Sequence, residues 1–366
     1  MVIGAGVVGC AVARELAARG AEVRLIDDRP AGMGATQASA GVLAPYLEAR
    51  DGGPLLDLTS ESLARFDQFV ATASEGSAIS VPYRRSGLLE IALQDDAMQA
   101  LRCAAEALSA RGVSAHLFDA RAVHDAEPQL SGEVRAGLFI PSYGFVAAAE
   151  LTRALAVAAE RAGALMLSPQ RVTRLSAAGG KSGIRIETNL GTLTATQVVL
   201  AAGSWAGRID VAGATAPLPV KPVRGQLLHL GWNGPSLRRV TWGERCYLVP
   251  WDDGTLLVGA TVEDVGFDER TTTAGVRDLI DAACELVPQG WSADLKSARA
   301  GLRPGTPDGL PIIGPSARLP GLFYATGHYR SGVQLAPITA DLVADLVLDN
   351  KVDPLLAAVA PARFGC

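Results

Sequence analysis

The sequence predicts an α/β protein organised on a doubly wound, mostly parallel sheet, and three observations carry that expectation. The chain opens on a strand, a glycine-rich turn and a helix. Two later apolar strands, at residues 198–203 and 321–327, also run out into glycine. Finally, 366 residues that are 49% hydrophobic and 19% charged suffice for about two domains at roughly 150 residues each. The same composition excludes a disordered chain, a collagen-like repeat and a disulfide-stapled miniprotein.

The first element reads Met1-Val2-Ile3, then Gly4-Ala5-Gly6-Val7-Val8-Gly9, a G-x-G-x-x-G turn. Val8, Val12 and Leu16 recur at helical spacing, and Gly20 supplies the left-handed residue that ends a helix. Residues 22–26 then alternate as a strand, with Asp27 at its end. In such a unit Gly4 permits the tight turn, Gly6 lets backbone approach a pyrophosphate, and Gly9 allows helix and strand to pack closely. The helix N-terminus adds free N–H groups and a positive dipole end, and Asp27 is placed to accept from ribose hydroxyls. An isolated G-x-G-x-x-G also occurs in ordinary turns, but the strand–helix–strand context favours a dinucleotide. Only three residues precede Gly4, against five or six in a typical strand, so the expected first strand reaches back beyond Met1.

A net charge of −5 and a pI near 5.5 argue against nucleic acid, because phosphate neutralisation needs a basic face. Only four of the 33 basic residues are lysine, so a lone arginine carries little meaning without a motif around it. Five scattered cysteines, with no C-x-x-C and no Cys/His cluster, read as reduced thiols and give no metal site. No uncharged apolar run approaches the ~18 residues of a membrane span. The apolar start lacks the basic region of a signal peptide, so a cytoplasmic protein without an integral membrane segment is expected.

Residues 32–41, Gly-Met-Gly-Ala-Thr-Gln-Ala-Ser-Ala-Gly, suit neither helix nor strand. Small side chains there let backbone approach a bulky ligand, with a plain surface loop as the alternative. Residues 184–188 and 192–196 predict a hairpin around Asn189-Leu190-Gly191, leading into the buried strand that ends Ala202-Gly203-Ser204-Trp205. The last strand ends Gly327-His328-Tyr329-Arg330-Ser331-Gly332 and meets a helix through Ile338, Leu342 and Leu346. Both NAD and FAD use the opening fingerprint, so these motifs leave the cofactor open.

Together the opening motif with Asp27, the loop ending Ser39-Ala40-Gly41, the 199–205 strand, Gly301-Leu302-Arg303-Pro304-Gly305-Thr306-Pro307-Asp308-Gly309 and Gly327-His328-Tyr329-Arg330 resemble the D-amino-acid oxidase family of flavoproteins. Within it they are most similar to the glycine oxidase branch, which serves thiamine-thiazole synthesis. The similarity runs through nearly the whole chain in the family's order. It implies FAD in a discontinuous Rossmann-like domain of residues 1–80, 142–218 and 296–366. A substrate domain of residues 81–141 and 219–295, α+β and built on a large antiparallel sheet, would be interleaved with it.

Carried over residue by residue, Gly4, Gly6, Gly9, Val7 and Val8 would meet the pyrophosphate turn, and Asp27 with Asp28 the adenosine ribose. Ala35, Thr36, Ala40, Gly41 and Val42 would line the ribityl chain and flavin, and the backbone of Val172 would meet adenine. Gly203 and Trp205 belong to the middle cofactor segment. Gly327, His328, Tyr329, Ser331, Gly332, Val333 and Gln334 would cradle the pyrimidine end of the isoalloxazine, where a helix dipole stabilises negative charge.

For the substrate domain the resemblance implies strands at 86–93, 135–140, 223–230, 246–250 and 255–261, with a hairpin turn at 251–254. Arg303 matches the family's carboxylate-binding arginine, whose guanidinium meets a carboxylate bidentately. Tyr247 matches the tyrosine that assists it, and Arg330 a second arginine near the substrate. Gly301 stands where the sarcosine oxidase branch has its flavin-linked cysteine, so FAD is expected to be non-covalent. Arg245 stands where the glycine oxidase pattern has histidine. Two residues from Tyr247, it shares a strand face with it in an extended chain and would favour a more acidic substrate. The implied reaction is oxidative deamination of glycine, sarcosine or a small D-amino acid by hydride transfer from Cα to flavin N5. O₂ would be the electron acceptor, yielding H₂O₂, and a homo-oligomer is the implied assembly. The alternatives are a D-amino-acid dehydrogenase that passes electrons to a quinone or other carrier, an NAD-dependent dehydrogenase, and a non-catalytic nucleotide binder.

Overall fold

Val2–Ile3 and Arg24–Ile26 are neighbouring parallel strands, joined by helix Val7–Ala18, which is buried along most of its length. Gly20 ends that helix at φ +89° and lets the Ala21 N–H bond the Leu16 carbonyl at 3.0 Å, a termination that a Cβ would oppose. The computed structural model describes residues 1–167, 169–179, 183–232 and 234–366.

Six strands form the central sheet, in the order Ile312–Pro315, Leu322–Thr326, Val198–Leu200, Val2–Ile3, Arg24–Ile26 and Leu165–Leu167. All neighbours pair in parallel except the first two. Winding reverses on either side of Val2–Ile3, and a sheet of this kind opens a crevice at the carboxyl ends of its strands at such a point. Gly4, Asp27, Ala201 and Gly327 are the residues that leave those ends.

Strand alternation divides the sheet's side chains between two cores. Val2, Leu25 and Val199 pack with helices Val7–Ala18, Ala148–Arg161 and Ala336–Ala344. Ile3, Ile26 and Val198 pack instead with a four-stranded sheet that includes Val172–Ala177 and the predicted hairpin, where Thr188 lies opposite Gly191. Continuous apolar strands such as Leu322–Thr326 follow from this cover on both faces.

The second large layer is an eight-stranded sheet in the order Asp294–Gly305, Lys221–Gly231, Thr255–Gly259, Tyr247–Pro250, Val240–Trp242, Leu88–Ala92, Ala136–Ile140 and His116–Asp119. It is antiparallel except where Val240–Trp242 runs alongside Leu88–Ala92. The five strands expected from the resemblance are here, and the 251–254 turn closes with the Trp251 N–H on the Thr255 carbonyl at 2.9 Å. Three further strands were not foreseen: Asp294–Gly305, Val240–Trp242 and His116–Asp119. The first pairs with Lys221–Gly231 from Lys221 opposite Gly305 to Gly231 opposite Asp294. The expected domain boundary at 296 therefore falls inside one strand. The five cysteines are free thiols, and among the described residues no helix is long and apolar enough to cross a membrane.

Candidate active site

The carboxyl ends of the parallel strands and the eight-stranded sheet together line a cavity of about 540 Å³, within the range of small-molecule and cofactor sites. At one end lie Gly4, Gly6, Val7 and Val8 of the first turn, Asp27 and Asp28 of the next strand end, and Val172. Ala35, Thr36, Ala40, Gly41 and Val42 form one wall, with Gly203 and Trp205 opposite the Gly34 turn. His328, Tyr329, Gly332 and Val333 close the far side.

Four predicted cofactor residues lie outside this lining and hold its walls instead. Gly9 lets the helix meet the first strand, since a Cβ there would lie 1.8 Å from the Gly4 carbonyl oxygen. Gly327 turns at φ +75° against Thr306. Ser331 donates its N–H to the His328 carbonyl at 2.9 Å. The Gln334 side-chain oxygen accepts from the Ala44 N–H at 2.7 Å, and its carbonyl accepts from the Ser62 hydroxyl at 2.6 Å.

The Asp27 carboxylate accepts from the Ala5 N–H at 2.6 Å and from the Arg29 N–H at 2.9 Å. It thereby shapes the glycine turn as well as facing the cavity. Burial pushes its carboxyl above the usual range, and those two N–H groups draw it back. Arg29 forms a two-pronged pair with Glu269 at 2.9 and 2.8 Å and stacks over the Trp205 ring at 4.5 Å. The loop carrying Glu269 is thereby tied to the cavity wall through Arg29. The first turn of helix Val7–Ala18 carries no acidic residue, which leaves its positive end free for a phosphate.

The other end is built from side chains. Arg303 reaches across its neighbouring strand, donating from Nη1 to the Thr261 carbonyl at 2.9 Å and the Arg224 carbonyl at 3.4 Å. It has room only because residue 225 is glycine, where a Cβ would fall 2.1 Å from Nη2. Tyr247 has the same need on its own neighbour, since a Cβ on Gly259 would lie 2.4 Å from the hydroxyl. Trp242, opposite Tyr247 in register, stacks on its ring at 4.9 Å and also lines the cavity. Burial raises the Tyr247 phenol above its ordinary value, with Arg303 acting against that.

Arg330 lines the cavity, but its Nε is paired with the Glu48 carboxylate at 3.1 Å. Burial pushes the Glu48 carboxyl up, and Arg330, Arg303 and Arg50 pull it down. Arg245 is a correction. It occupies the turn between Val240–Trp242 and Tyr247–Pro250, so the alternation of an extended strand does not reach it. Its guanidinium bonds Glu285 at 3.0 Å on an exposed surface. It adds no cation to the cavity, and Trp242 takes the place expected of it.

His328 is fully buried within hydrogen-bond distance of the Thr339 hydroxyl, 3.1 Å, and burial lowers its pKa to about 4. It is neutral at ordinary pH. Among the described residues no group of three His, Cys, Asp or Glu is arranged to hold a metal. Sequence reading missed Trp242, Glu48, Gly225 and Gly259. Mid-strand glycines signal a close approach and would have found the last two. Glu48, at the end of the four-residue helix Pro45–Glu48, carries no local signal.

These features can be set beside known proteins. A family model described as FAD dependent oxidoreductase matches residues 1–346. The chain belongs to that family. It is 34% identical over 348 residues to a glycine oxidase from Geobacillus kaustophilus, covering 94% of this chain and 92% of that one. A crystal structure of glycine oxidase from the same organism superposes with a TM-score of 0.94 at 33% identity, covering 99% and 97% of the two chains. A bifunctional protein ThiO/ThiG from a Nostoc species is 36% identical over 362 residues, 98% of this chain but 54% of that protein. The chain thus spans about half the length of such bifunctional relatives.

The residues present fit an FAD. The cavity joins a phosphate-type turn to small-residue walls, and Gly301 backs directly onto the Ala35–Ala38 turn, where a Cβ would lie 2.8 Å from that of Ala38. A side chain at 301 has no room.

Proposed function

We propose that this protein oxidises glycine, sarcosine or a small D-amino acid at its α-carbon, using non-covalently bound FAD. The carrying observation is Arg303, a guanidinium facing the cavity that among the described residues bonds only backbone carbonyls. Its Nη2 and Nε remain to meet a carboxylate as a fork. The Tyr247 hydroxyl, kept protonated by burial, is placed to donate to the same group. Bound FAD supplies the hydride acceptor. The chain's contribution is orientation, since a fixed carboxylate directs the α-carbon, and the stacked Trp242 and Tyr247 rings line that end of the cavity. No side chain is assigned as an obligatory base: His328 lies within hydrogen-bond distance of Thr339, and Glu48 is paired with Arg330. The tight packing at Gly301 supports the non-covalent reading, because a flavin-linked cysteine could not be accommodated there.

The test is an absorption spectrum of the purified protein, with acid release of the flavin, followed by peroxide production on glycine, sarcosine, D-alanine and D-proline. A colourless protein would overturn the reading. Anaerobic dye reduction without peroxide in air would replace O₂ by another acceptor, and a size measurement would decide whether the chain forms the homo-oligomer that the family resemblance implies.

A further inference from the structure

Beneath Arg303 lies a polar cluster, built on the buried Arg224 and Gln226 and the half-buried Glu263, that the proposed reaction does not itself use. Strand Lys221–Gly231 leaves its regular pairing with Thr255–Gly259 at Leu227, yet the chain continues beside it. Thr261 donates its N–H to the Gln226 carbonyl at 3.2 Å, and Glu263 exchanges both backbone bonds with Arg224 at 2.9 Å. Alternation then sorts this four-residue strap. Ala260 and Val262 line the cavity, whereas Thr261 and Glu263 turn toward the cluster.

The Glu263 carboxylate gathers donors from three side chains. Arg224 reaches it from Nη2 at 2.5 Å and Nε at 3.2 Å, Gln226 from Nε2 at 2.7 Å, and the Thr261 hydroxyl at 2.5 Å. Arg224 is 3% exposed and spends its remaining nitrogen on Asp268 at 3.0 Å and the Arg270 carbonyl at 3.0 Å. Gln226 is itself fixed at its far end by Thr272, whose N–H it accepts at 2.8 Å. A buried arginine bonded through all three nitrogens is held in place, and with it the backbone that carries it.

That backbone is what Arg303 leans on. Its two acceptors are the carbonyls of Thr261 and Arg224, the residues whose side chains Glu263 ties together. Resting on the reading of Arg303 as the carboxylate ligand, we infer that Glu263, Arg224 and Thr261 are positioning residues that aim the Arg303 fork without touching substrate. A guanidinium bonds a carboxylate well only when its plane and the carboxylate plane agree. Two fixed carbonyls on Nη1 leave the remaining edge of the guanidinium pointing into the cavity.

The test uses the flavin-loaded protein. Thr261→Val deletes the hydroxyl that donates to the Glu263 carboxylate and accepts from the Gln226 N–H at 2.9 Å, and leaves the Thr261 carbonyl and both Arg224 ion pairs in place. Three quantities are read: KM for glycine and sarcosine, the dissociation constant of acetate from the perturbation of the flavin spectrum, and the affinity for FAD. KM and the acetate constant should rise together by about tenfold, a coupling typical of one hydrogen-bond network, with kcat and FAD affinity little changed. Thr261→Ser should restore both. Glu263→Gln should act in the same direction, and provides the measurement if the valine variant folds poorly.

Arg303→Ala separates the two levels of argument. If it leaves KM and acetate binding unchanged, the carboxylate-site reading falls and this inference with it. If it raises both while Thr261→Val and Glu263→Gln do nothing, only the positioning role is overturned. In the double variant Arg303→Ala/Thr261→Val, values equal to Arg303→Ala alone support action through Arg303. Full additivity would show that Thr261 acts by another route and would overturn the inference.

Discussion

The two ends of the cavity are made of different material. At the dinucleotide end the chain contributes turns, strand ends and small residues, so that backbone itself forms much of the wall. At the end proposed for the amino acid the wall is Arg303, Tyr247, Trp242 and the Glu48–Arg330 pair, side chains delivered by separate strands, one short helix and the loop after Leu322–Thr326. The first end depends on where Cβ atoms are missing, the second on which side chains meet. Substitutions should therefore fail differently: flavin lost at one end, substrate affinity lost with flavin retained at the other.

The largest effect is expected at Gly4. Its φ is +106°, and a Cβ would fall 2.4 Å from the Ala201 carbonyl oxygen. Backbone strain and overpacking each cost about 1–3 kcal/mol, so Gly4→Ala should lower the unfolding temperature and purify without flavin bands. A yellow Gly4→Ala protein of ordinary stability would erase the distinction between the ends. Arg303→Ala comes next. Truncating one partner of a buried charged contact costs on the order of 3 kcal/mol, which predicts a KM raised at least 100-fold in a protein that still binds flavin. Loss of flavin in that variant would mean that the two ends are energetically one site.

The same contrast explains what the sequence made legible. The dinucleotide end was readable because its residues are local. Gly4 to Gly9 with Asp27, the 32–41 run and the 327–334 loop each place several wall residues in one short stretch. Arg303 and Tyr247 were found only because they stand in motifs that resemble a family, and Trp242 was not found at all. It reaches the cavity through its register with Tyr247, on a strand of three residues too short to show a period. Arg245 failed for a related reason: spacing of two predicts a shared face only inside a strand, and the strand begins at Tyr247. The strand Asp294–Gly305 was hidden by its first half, whose solvent-facing edge is polar and carries no apolar alternation.

His328 stands between the two ends and sharpens the comparison through pH. Buried and uncharged, it has a pKa lowered to about 4 from an ordinary 6.5, so below pH 6.5 the unfolded chain binds a proton that the folded chain refuses. Stability contributed by this group is therefore complete above 6.5 and is lost as pH falls toward 4, by about 3 kcal/mol at 1.4 kcal/mol per unit. Denaturant unfolding of the flavin-loaded protein at pH 7 and pH 4 should show His328→Asn losing less stability on acidification than the parent by about that amount, the carboxyl groups contributing alike to both. An equal loss in the variant would place the titration elsewhere.

The smallest expected effect is at Tyr247, and it tests whether the amino-acid end is one contact or several. Tyr247→Phe keeps the ring against Trp242, stacked at 4.9 Å, and removes only the hydroxyl. With the guanidinium still in place, one such hydrogen bond is worth about 0.5–1.5 kcal/mol net, so KM for glycine should rise by roughly two- to twelvefold, well short of Arg303→Ala, with kcat nearly kept. Because burial raises the phenol's pKa, the hydroxyl stays protonated across the working range and the loss should be the same at pH 7 and pH 9. A loss as large as that of Arg303→Ala would make the two groups an inseparable pair. No loss would leave the guanidinium as sole ligand and reduce Tyr247 to the wall that Trp242 leans on.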